Sequence, residues 1–301
     1  MIQDGLLLIN KAAGMTSHDV VARVRRILNT RSVGHCGTLD PMATGLMILL
    51  VGEATKISSY LLEQDKAYVV KAQLGLRTDT LDITGTVLEQ HPVRVSPAEV
   101  KALALGLQGE FELNVPKFSA VKVQGEKMYE KARRQEEFET PKKFMKFYDV
   151  EVLDQGADWL QAKMRCSKGS YIRSWVELLG ERAGTGAAMS ELRRTVSEPF
   201  RLENAVTLEQ LAAEVEKGGR IKGLTPLAET LPNWKTVRVD GQSLALIRNG
   251  QISKDLKSIL ISLFQPGIDP GVKVISKDGS LLALIGLEEG QGFSIRRVFR
   301  S

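Results

Sequence analysis

The sequence predicts an α+β fold, and two features of the 301 residues support it. Segments with the apolar alternation of strands and segments with helical spacing both occur, but they do not alternate regularly as a doubly wound parallel sheet requires. From about Thr236 the pattern changes to short strands and glycine-rich turns. The second feature indicates a small β domain after a larger mixed one.

The first elements are a strand at Leu6–Ile9, a turn containing Lys11, and a helix capped by Thr16 or Ser17. A buried strand is predicted at Leu46–Val51. In residues 68–74, apolar side chains alternate with side chains of mixed polarity. This alternation predicts a half-buried strand that begins with Tyr68 on its inward face.

Ser96 is predicted to cap a helix that stops near Gly109. In 166–180 a glycine-containing turn precedes apolar residues at helical spacing, so Tyr171 and Arg173 should lie at a helix start. Short strands are expected at 237–239, 272–275, 281–285 and 293–299. Residues 258–270 fit this pattern poorly and are interpreted as a loop insertion.

Composition limits the class of protein. A hydrophobic content of 43% is enough for a full core, and neither a signal peptide nor a membrane-length apolar stretch is found, so we expect a soluble cytoplasmic protein without a membrane partner. Cys36 and Cys166 lie in unrelated contexts and the three histidines lack metal-ligand spacing. Neither a disulfide framework nor a metal site is expected.

The net charge of +5 and the pI of about 9.1 permit a polyanionic partner. Basic residues form three groups, each of which is a candidate to follow a phosphate backbone, although a solvated surface looks similar. The groups are Lys131, Arg133, Arg134, Lys142, Lys143 and Lys146; Arg193 and Arg194; and Arg296, Arg297 and Arg300.

The segment GHCGTLDPMATG, residues 34–45, places Asp40 between turn-forming residues on both sides. The strand that follows anchors this turn in the core, so its tip is expected to face a cleft. A plain Asp-Pro turn is the simpler interpretation of the spacing alone. A carboxylate held in this way can be aimed at a substrate.

This segment resembles the signature of the TruB family of pseudouridine synthases, in which a His-x-Gly-x-Leu-Asp-Pro turn carries the catalytic aspartate. The segments NKAAGMTS, KAY, VPKFSAVKVQG, SKGSYIR and LRRT resemble further family motifs in the same order. Ala12, Val115 and Phe118 depart from the residues usual in the family. The resemblance covers residues 5 to about 200, and the remainder more loosely.

The resemblance implies the pseudouridine synthase fold, a mixed and mostly antiparallel sheet flanked by helices, followed by a small PUA-like β domain. It divides the chain into a catalytic domain, 1–233, and an RNA-binding domain, 234–301. Within the first, residues from about 117 to 150 correspond to a mobile thumb-like insertion that grips tRNA. An ordinary charged helix and loop is the alternative for this insertion.

The resemblance also implies the catalytic residues. Asp40 is the essential carboxylate, acting as a nucleophile or as a base on the ribose. Tyr68 stacks on the target base and helps to remove the C5 proton. Arg173 pairs with Asp40, and an adjacent cation should keep that carboxylate ionised.

The remaining implied residues bind the substrate. Tyr171 lines the base pocket, and His35 takes the space left by the flipped base unless it is only a locally bonded turn residue. Lys11, Lys142 and Lys143 contact the RNA. A lone lysine before a helix is otherwise simply solvated.

The implied reaction is isomerisation of uridine to pseudouridine in tRNA, at uridine 55 of the T arm, by a stand-alone monomer. It involves no redox change and no net hydrolysis, so no cofactor or obligatory protein partner is expected. Three alternatives remain. They are a guide-RNA-dependent dyskerin-type synthase, a non-catalytic RNA-binding or RNA-folding module, and a hydrolase with Asp40 as general base, for which no second carboxylate or metal motif is found.

Overall fold

The computed structural model describes residues 4–218, 221 and 223–300. The α-helices in these residues are α1 (Ser17–Ile27), α2 (Ser58–Leu62), α3 (Pro97–Gly106), α4 (Met128–Arg133), α5 (Ile172–Arg182), α6 (Leu208–Glu216), α7 (Gly241–Arg248) and α8 (Lys254–Leu263).

The strands are β1 (Gly5–Lys11), β2 (Val33–Cys36), β3 (Thr44–Val51), β4 (Lys66–Leu74), β5 (Leu76–Thr78), β6 (Val87–Gln90), β7 (Gly109–Asn114), β8 (Lys122–Val123), β9 (Glu126–Lys127), β10 (Lys142–Gln155), β11 (Trp159–Cys166), β12 (Ala187–Ser197), β13 (Phe200–Arg201), β14 (Leu224–Pro226), β15 (Lys235–Val239), β16 (Val272–Ser276), β17 (Leu281–Glu288) and β18 (Gly292–Val298).

Ten strands form the large sheet, in the order β14-β1-β3-β12-β4-β11-β10-β7, with β2 paired to β3 and β13 paired to β12. Its described pairings are antiparallel apart from the parallel contact of β12 with β3. The predicted mixed, mostly antiparallel sheet is therefore confirmed. The parallel contact brings Arg194 of β12 beside Gly45 at the start of β3.

Strand β4 lies near the middle of this sheet, between β11 and β12. Its inward residues Tyr68, Val70, Ala72 and Leu74 are buried, as the alternation predicts. They form one core with α3, α5 and the inner faces of β10 and β11. Tyr68 is thus held between two neighbouring strands at the end of the core.

Helix α1 begins at a capping box: the Thr16 hydroxyl accepts from the Asp19 amide, and the Asp19 carboxylate accepts from the Thr16 amide. Helix α3 has the predicted cap at Ser96 but ends at Gly106, earlier than expected. The backbone leaves the helix at Leu107, whose carbonyl accepts a hydrogen bond from the buried Trp175 indole. This long-range contact was not visible in the local pattern.

The four predicted C-terminal strands form a second sheet in the order β15-β16-β17-β18. The interpretation of residues 258–270 as a loop insertion is wrong for the first half, because 258–263 belong to α8. Ser253 caps this helix, and Leu256 and Leu260 bury one face. Exposed isoleucines at 259 and 261 obscure that face in the sequence.

The second sheet packs onto the first through a shared apolar cluster. Phe299 and Leu284 lie in the same buried cluster as Leu6 and Leu46 of the large sheet. In the described ranges, no helix is both long enough and apolar enough to cross a membrane.

Candidate active site

The Asp40 turn joins β2 to β3 and closes on itself, since the Ala43 amide donates to the Asp40 carbonyl at 3.0 Å. The turn is followed by Gly45, which has a φ of +97°. A Cβ atom at this position would lie 2.3 Å from the Arg194 carbonyl oxygen, so only glycine permits β12 to approach so closely. The Asp40 side chain remains 27% exposed.

Two residues from the first segment of the chain fix the turn. The Ser17 hydroxyl accepts from the Leu39 amide at 3.0 Å and donates to the Leu39 carbonyl at 3.2 Å. The Lys11 ammonium donates to the carbonyl oxygens of Pro41, at 3.1 Å, and Ala12, at 3.0 Å. Lys11 is only 1% exposed, and burial lowers the pKa of its ammonium to about 8. It is directed at the backbone rather than at solvent.

Arg173 lies in the first turn of α5 and its side chain is 6% exposed. Its Nη2 donates to Asp40 Oδ1 at 3.0 Å and to the Phe118 carbonyl at 3.0 Å. Its Nη1 donates to the Thr80 carbonyl at 3.1 Å. Two backbone anchors therefore aim the guanidinium at one carboxylate oxygen.

The environment raises the pKa of Asp40, and burial is the largest cause. The neighbouring Arg173 opposes this shift, Asp82 reinforces it, and Lys11 again opposes it. Arg173 favours the ionised form of Asp40, as expected, but it does not cancel the effect of burial on the pKa. Desolvation outweighs the cation because the carboxylate is largely removed from water.

Tyr68 is 8% exposed and lies opposite Arg194 in the pairing of β4 with β12. Burial raises the pKa of its phenol to about 12, and the positive charge of the nearby Arg194 partly opposes the shift. The phenol is neutral at neutral pH. The negative charge of Asp40 also contributes to this shift, so both groups belong to one electrostatic environment.

Tyr171 is the N-cap residue of α5 and is half-buried beside the Ser119 hydroxyl. His35 lies in β2 and packs edge-on against His18, with ring centroids 5.6 Å apart. Burial is the main cause that lowers the pKa of His35, which favours the neutral ring. Its Nδ1 is buried and has no hydrogen-bond partner among the described residues.

Lys142 and Lys143 begin β10 and are exposed. The structure places them next to the edge strand β7 of the large sheet, and not in the Asp40 turn. The Lys143 ammonium reaches the turn before Tyr171, since a Cβ atom on Gly169 would lie 2.1 Å from Lys143 Nζ. Lys143 therefore borders the loop that leads into α5.

Arg194 was assigned above to a basic surface group, and this is wrong because the residue is 1% exposed. Successive residues of a strand face opposite sides, so Arg193 is exposed while Arg194 points inward. Its Nε donates to the Leu46 carbonyl at 2.7 Å. Its Nη groups donate to the carbonyls of Gly37, at 3.3 Å, and Thr38, at 3.5 Å. The strand alternation was the signal that would have identified it.

No group of three or more potential metal-ligating side chains is placed to hold an ion in the part of the chain described here. A cavity of about 460 Å³ lies behind the Phe118 anchor of Arg173, between residues 77–81, the segment 114–140 and α5. Asp40 does not line it. The candidate site is therefore the partly exposed Asp40 carboxylate with its neighbours rather than this cavity.

Two family models match the chain. The N-terminal domain of the TruB family pseudouridylate synthases matches residues 25–172, and the C-terminal domain of tRNA pseudouridylate synthase B matches residues 173–227. The chain belongs to the TruB family of pseudouridylate synthases.

The chain is similar over almost its full length to curated members of the family. It is 54% identical to tRNA pseudouridine synthase B of Bdellovibrio bacteriovorus, over 99% of this chain and 97% of that protein. It is 38% identical to the protein of the same name from Syntrophobacter fumaroxidans, over 93% and 92% of the two chains. Among solved structures, a chain of a Cbf5-Nop10-Gar1 complex superposes with a TM-score of 0.71 and 25% identity, covering 99% of this chain and 84% of that one. The predicted pseudouridine synthase fold is thus confirmed.

Proposed function

We propose that the protein isomerises uridine to pseudouridine in tRNA, with uridine 55 of the T arm as the target. The observation that carries the proposal is the contact of Arg173 with Asp40, which fixes a partly exposed carboxylate. The proposal is also supported by the similarity to proteins named tRNA pseudouridine synthase B.

The reaction breaks the bond between ribose C1′ and uracil N1 and rejoins the base through C5. The proton on C5 leaves and N1 gains one, so atoms and electrons balance without a cofactor. Asp40 acts at the ribose, as nucleophile or as base. Arg173 orients the carboxylate, since its own position is fixed by the Thr80 and Phe118 carbonyls.

Tyr68 presents its ring to the base. A strand holds the ring at small entropic cost, which suits stacking on an extruded base. Its phenol has a pKa of about 12 and is neutral, so it accepts the C5 proton only by passing its own hydroxyl proton on, in the direction of N1. The target base must be flipped out of the RNA before either residue reaches it. Tyr171 lines the base pocket, and His35 fills the place that the base vacates.

RNA contacts come from two regions. Lys142 and Lys143 bind phosphates, and residues 234–301 form an RNA-binding domain beside a catalytic domain of residues 1–233. The segment from about 117 to 150 acts as a thumb on the T arm. Lys11 supports the site from inside, because its ammonium is bound to the Pro41 carbonyl. We place the enzyme in the cytoplasm as a monomer that needs no protein partner.

The test is tritium release from unmodified tRNA that carries uridine labelled at C5. Asp40→Asn keeps the shape of the side chain and removes its charge and nucleophilicity, so tRNA binding should persist and release should stop. A uridine-to-cytidine change at position 55 identifies the target. Release by Asp40→Asn at the wild-type rate would refute the role of Asp40.

Two other results would point to the alternative functions. Tight tRNA binding without release by the wild-type protein indicates an RNA-binding or RNA-folding module. Release that appears only after a guide RNA is added indicates a guide-dependent synthase.

A further inference from the structure

The backbone of Arg194 connects the two strands that carry the candidate site. It is the register partner of Tyr68 in the antiparallel contact of β12 with β4. It is also the register partner of Gly45 in the parallel contact of β12 with β3. One residue therefore borders both the aromatic side chain and the strand that follows the Asp40 turn.

The side chain extends this connection. Its guanidinium is removed from solvent and binds three backbone carbonyls, those of Leu46, Gly37 and Thr38. The first carbonyl follows the Asp40 turn in the chain and the other two precede Asp40. The Tyr68 phenol lies near enough to the same guanidinium for its positive charge to oppose the rise in the phenol's pKa.

We propose that Arg194 is a positioning residue, which holds the Asp40 turn and the Tyr68 ring in one fixed relation so that both face the same nucleotide. The proposal rests on the function proposed above. Arg194 is not a catalytic residue here, because its guanidinium binds backbone carbonyls, whereas the Asp40 carboxylate is bound by Arg173.

The geometry requires an arginine. A planar guanidinium presents five donors in a rigid fork and can bind the carbonyls on both sides of the turn at once. An ammonium is a compact charge on a flexible stem and satisfies fewer of these partners at once. Arg194→Lys therefore keeps a buried cation while it removes the fork.

The test compares wild type, Arg194→Lys and Leu211→Ala. Leu211 is buried in a cluster with α1 that does not include Asp40 or Tyr68, so its truncation is a control for lost stability alone. Tritium release is measured in single turnover, tRNA affinity by filter binding, and folding by circular dichroism. Hydrogen exchange of the amides of residues 37–40 reports on the turn directly.

For Arg194→Lys we expect release to slow by at least about tenfold and amide exchange in the turn to accelerate by about tenfold, with tRNA affinity within about twofold of wild type. Leu211→Ala should unfold at a lower temperature than wild type but retain the wild-type rate of tritium release at 25 °C. A Lys variant with wild-type release and exchange would overturn the proposal. The proposal would also be overturned if Arg194→Lys did not fold. It would be overturned as well if Arg194→Lys slowed tritium release no more than Leu211→Ala does.

A failure of the Arg194 proposal can be told apart from a failure of the proposed function. If wild-type protein releases no tritium, the proposed reaction fails, whereas the exchange measurement still reports whether Arg194 fixes the turn.

Discussion

The Arg173 guanidinium donates to one oxygen of Asp40 at 3.0 Å, while the backbone carbonyls of Thr80 and Phe118 hold the same group in place. The carboxylate therefore has a fixed partner, and its other oxygen is not engaged by that guanidinium in the described contacts. This relation leads to the first prediction.

Arg173→Lys should slow single-turnover tritium release by roughly a hundredfold, the size of loss found when one charge-stabilising donor is removed from an active site. A lysine cannot bind Asp40 and both carbonyl anchors together, so the carboxylate loses its orientation. tRNA affinity should change little. Arg182→Lys, at the exposed end of the same helix, is the matched control. Equal rates for the two variants would contradict the assignment.

The pH dependence of release should reflect the raised pKa of Asp40. The ionised carboxylate is the active form, so activity falls as the pH drops through this pKa. Because the pKa is raised, the acid limb of the single-turnover rate should have its midpoint above the ordinary value of 3.8. Circular dichroism at each pH excludes unfolding as the cause. A midpoint at or below 3.8 would contradict the prediction.

Ser17→Ala should destabilise the protein by about 1–3 kcal/mol, because the buried Leu39 amide loses its acceptor. It should also slow release, since Leu39 precedes Asp40 in the turn. Thr16→Ala is the matched control, because it removes an exposed helix cap worth about 1 kcal/mol without touching the turn. Denaturant unfolding and single-turnover release are measured for both. If both variants retain the wild-type rate, Ser17 only supports the fold.

Changing Lys142 and Lys143 together to Gln should weaken tRNA binding. Each lost phosphate contact reduces the slope of log affinity against log salt by about 0.7–0.9, so the pair should reduce it by about 1.4–1.8. Filter binding between low and moderate salt measures this slope. The control changes the exposed Lys101 and Lys217 in the same way. A slope unchanged from wild type would show that the pair does not contact phosphates.

The sequence predicted what depends on local pattern. The capped helices, the alternation in β4 and the segments around Asp40, Tyr68 and Arg173 are all contained in short stretches of chain. The buried positions of the Lys11 and Arg194 side chains could not be predicted in this way. The contact of Arg194 with Gly37, for example, spans 157 residues. Their burial depends on where strands pair. Similarly, the exposed isoleucines of α8 conceal its amphipathic face because nothing local shows which side is covered.

The shared cluster of Phe299 and Leu284 with Leu6 and Leu46 has a consequence for synthesis on the ribosome. The first strand emerges early, but its apolar cover lies almost 300 residues later. Until that cover leaves the exit tunnel, this side of the large sheet remains open to chaperones and to neighbouring nascent chains. Completion of this part of the interior is thus tied to translation beyond Leu284 and Phe299.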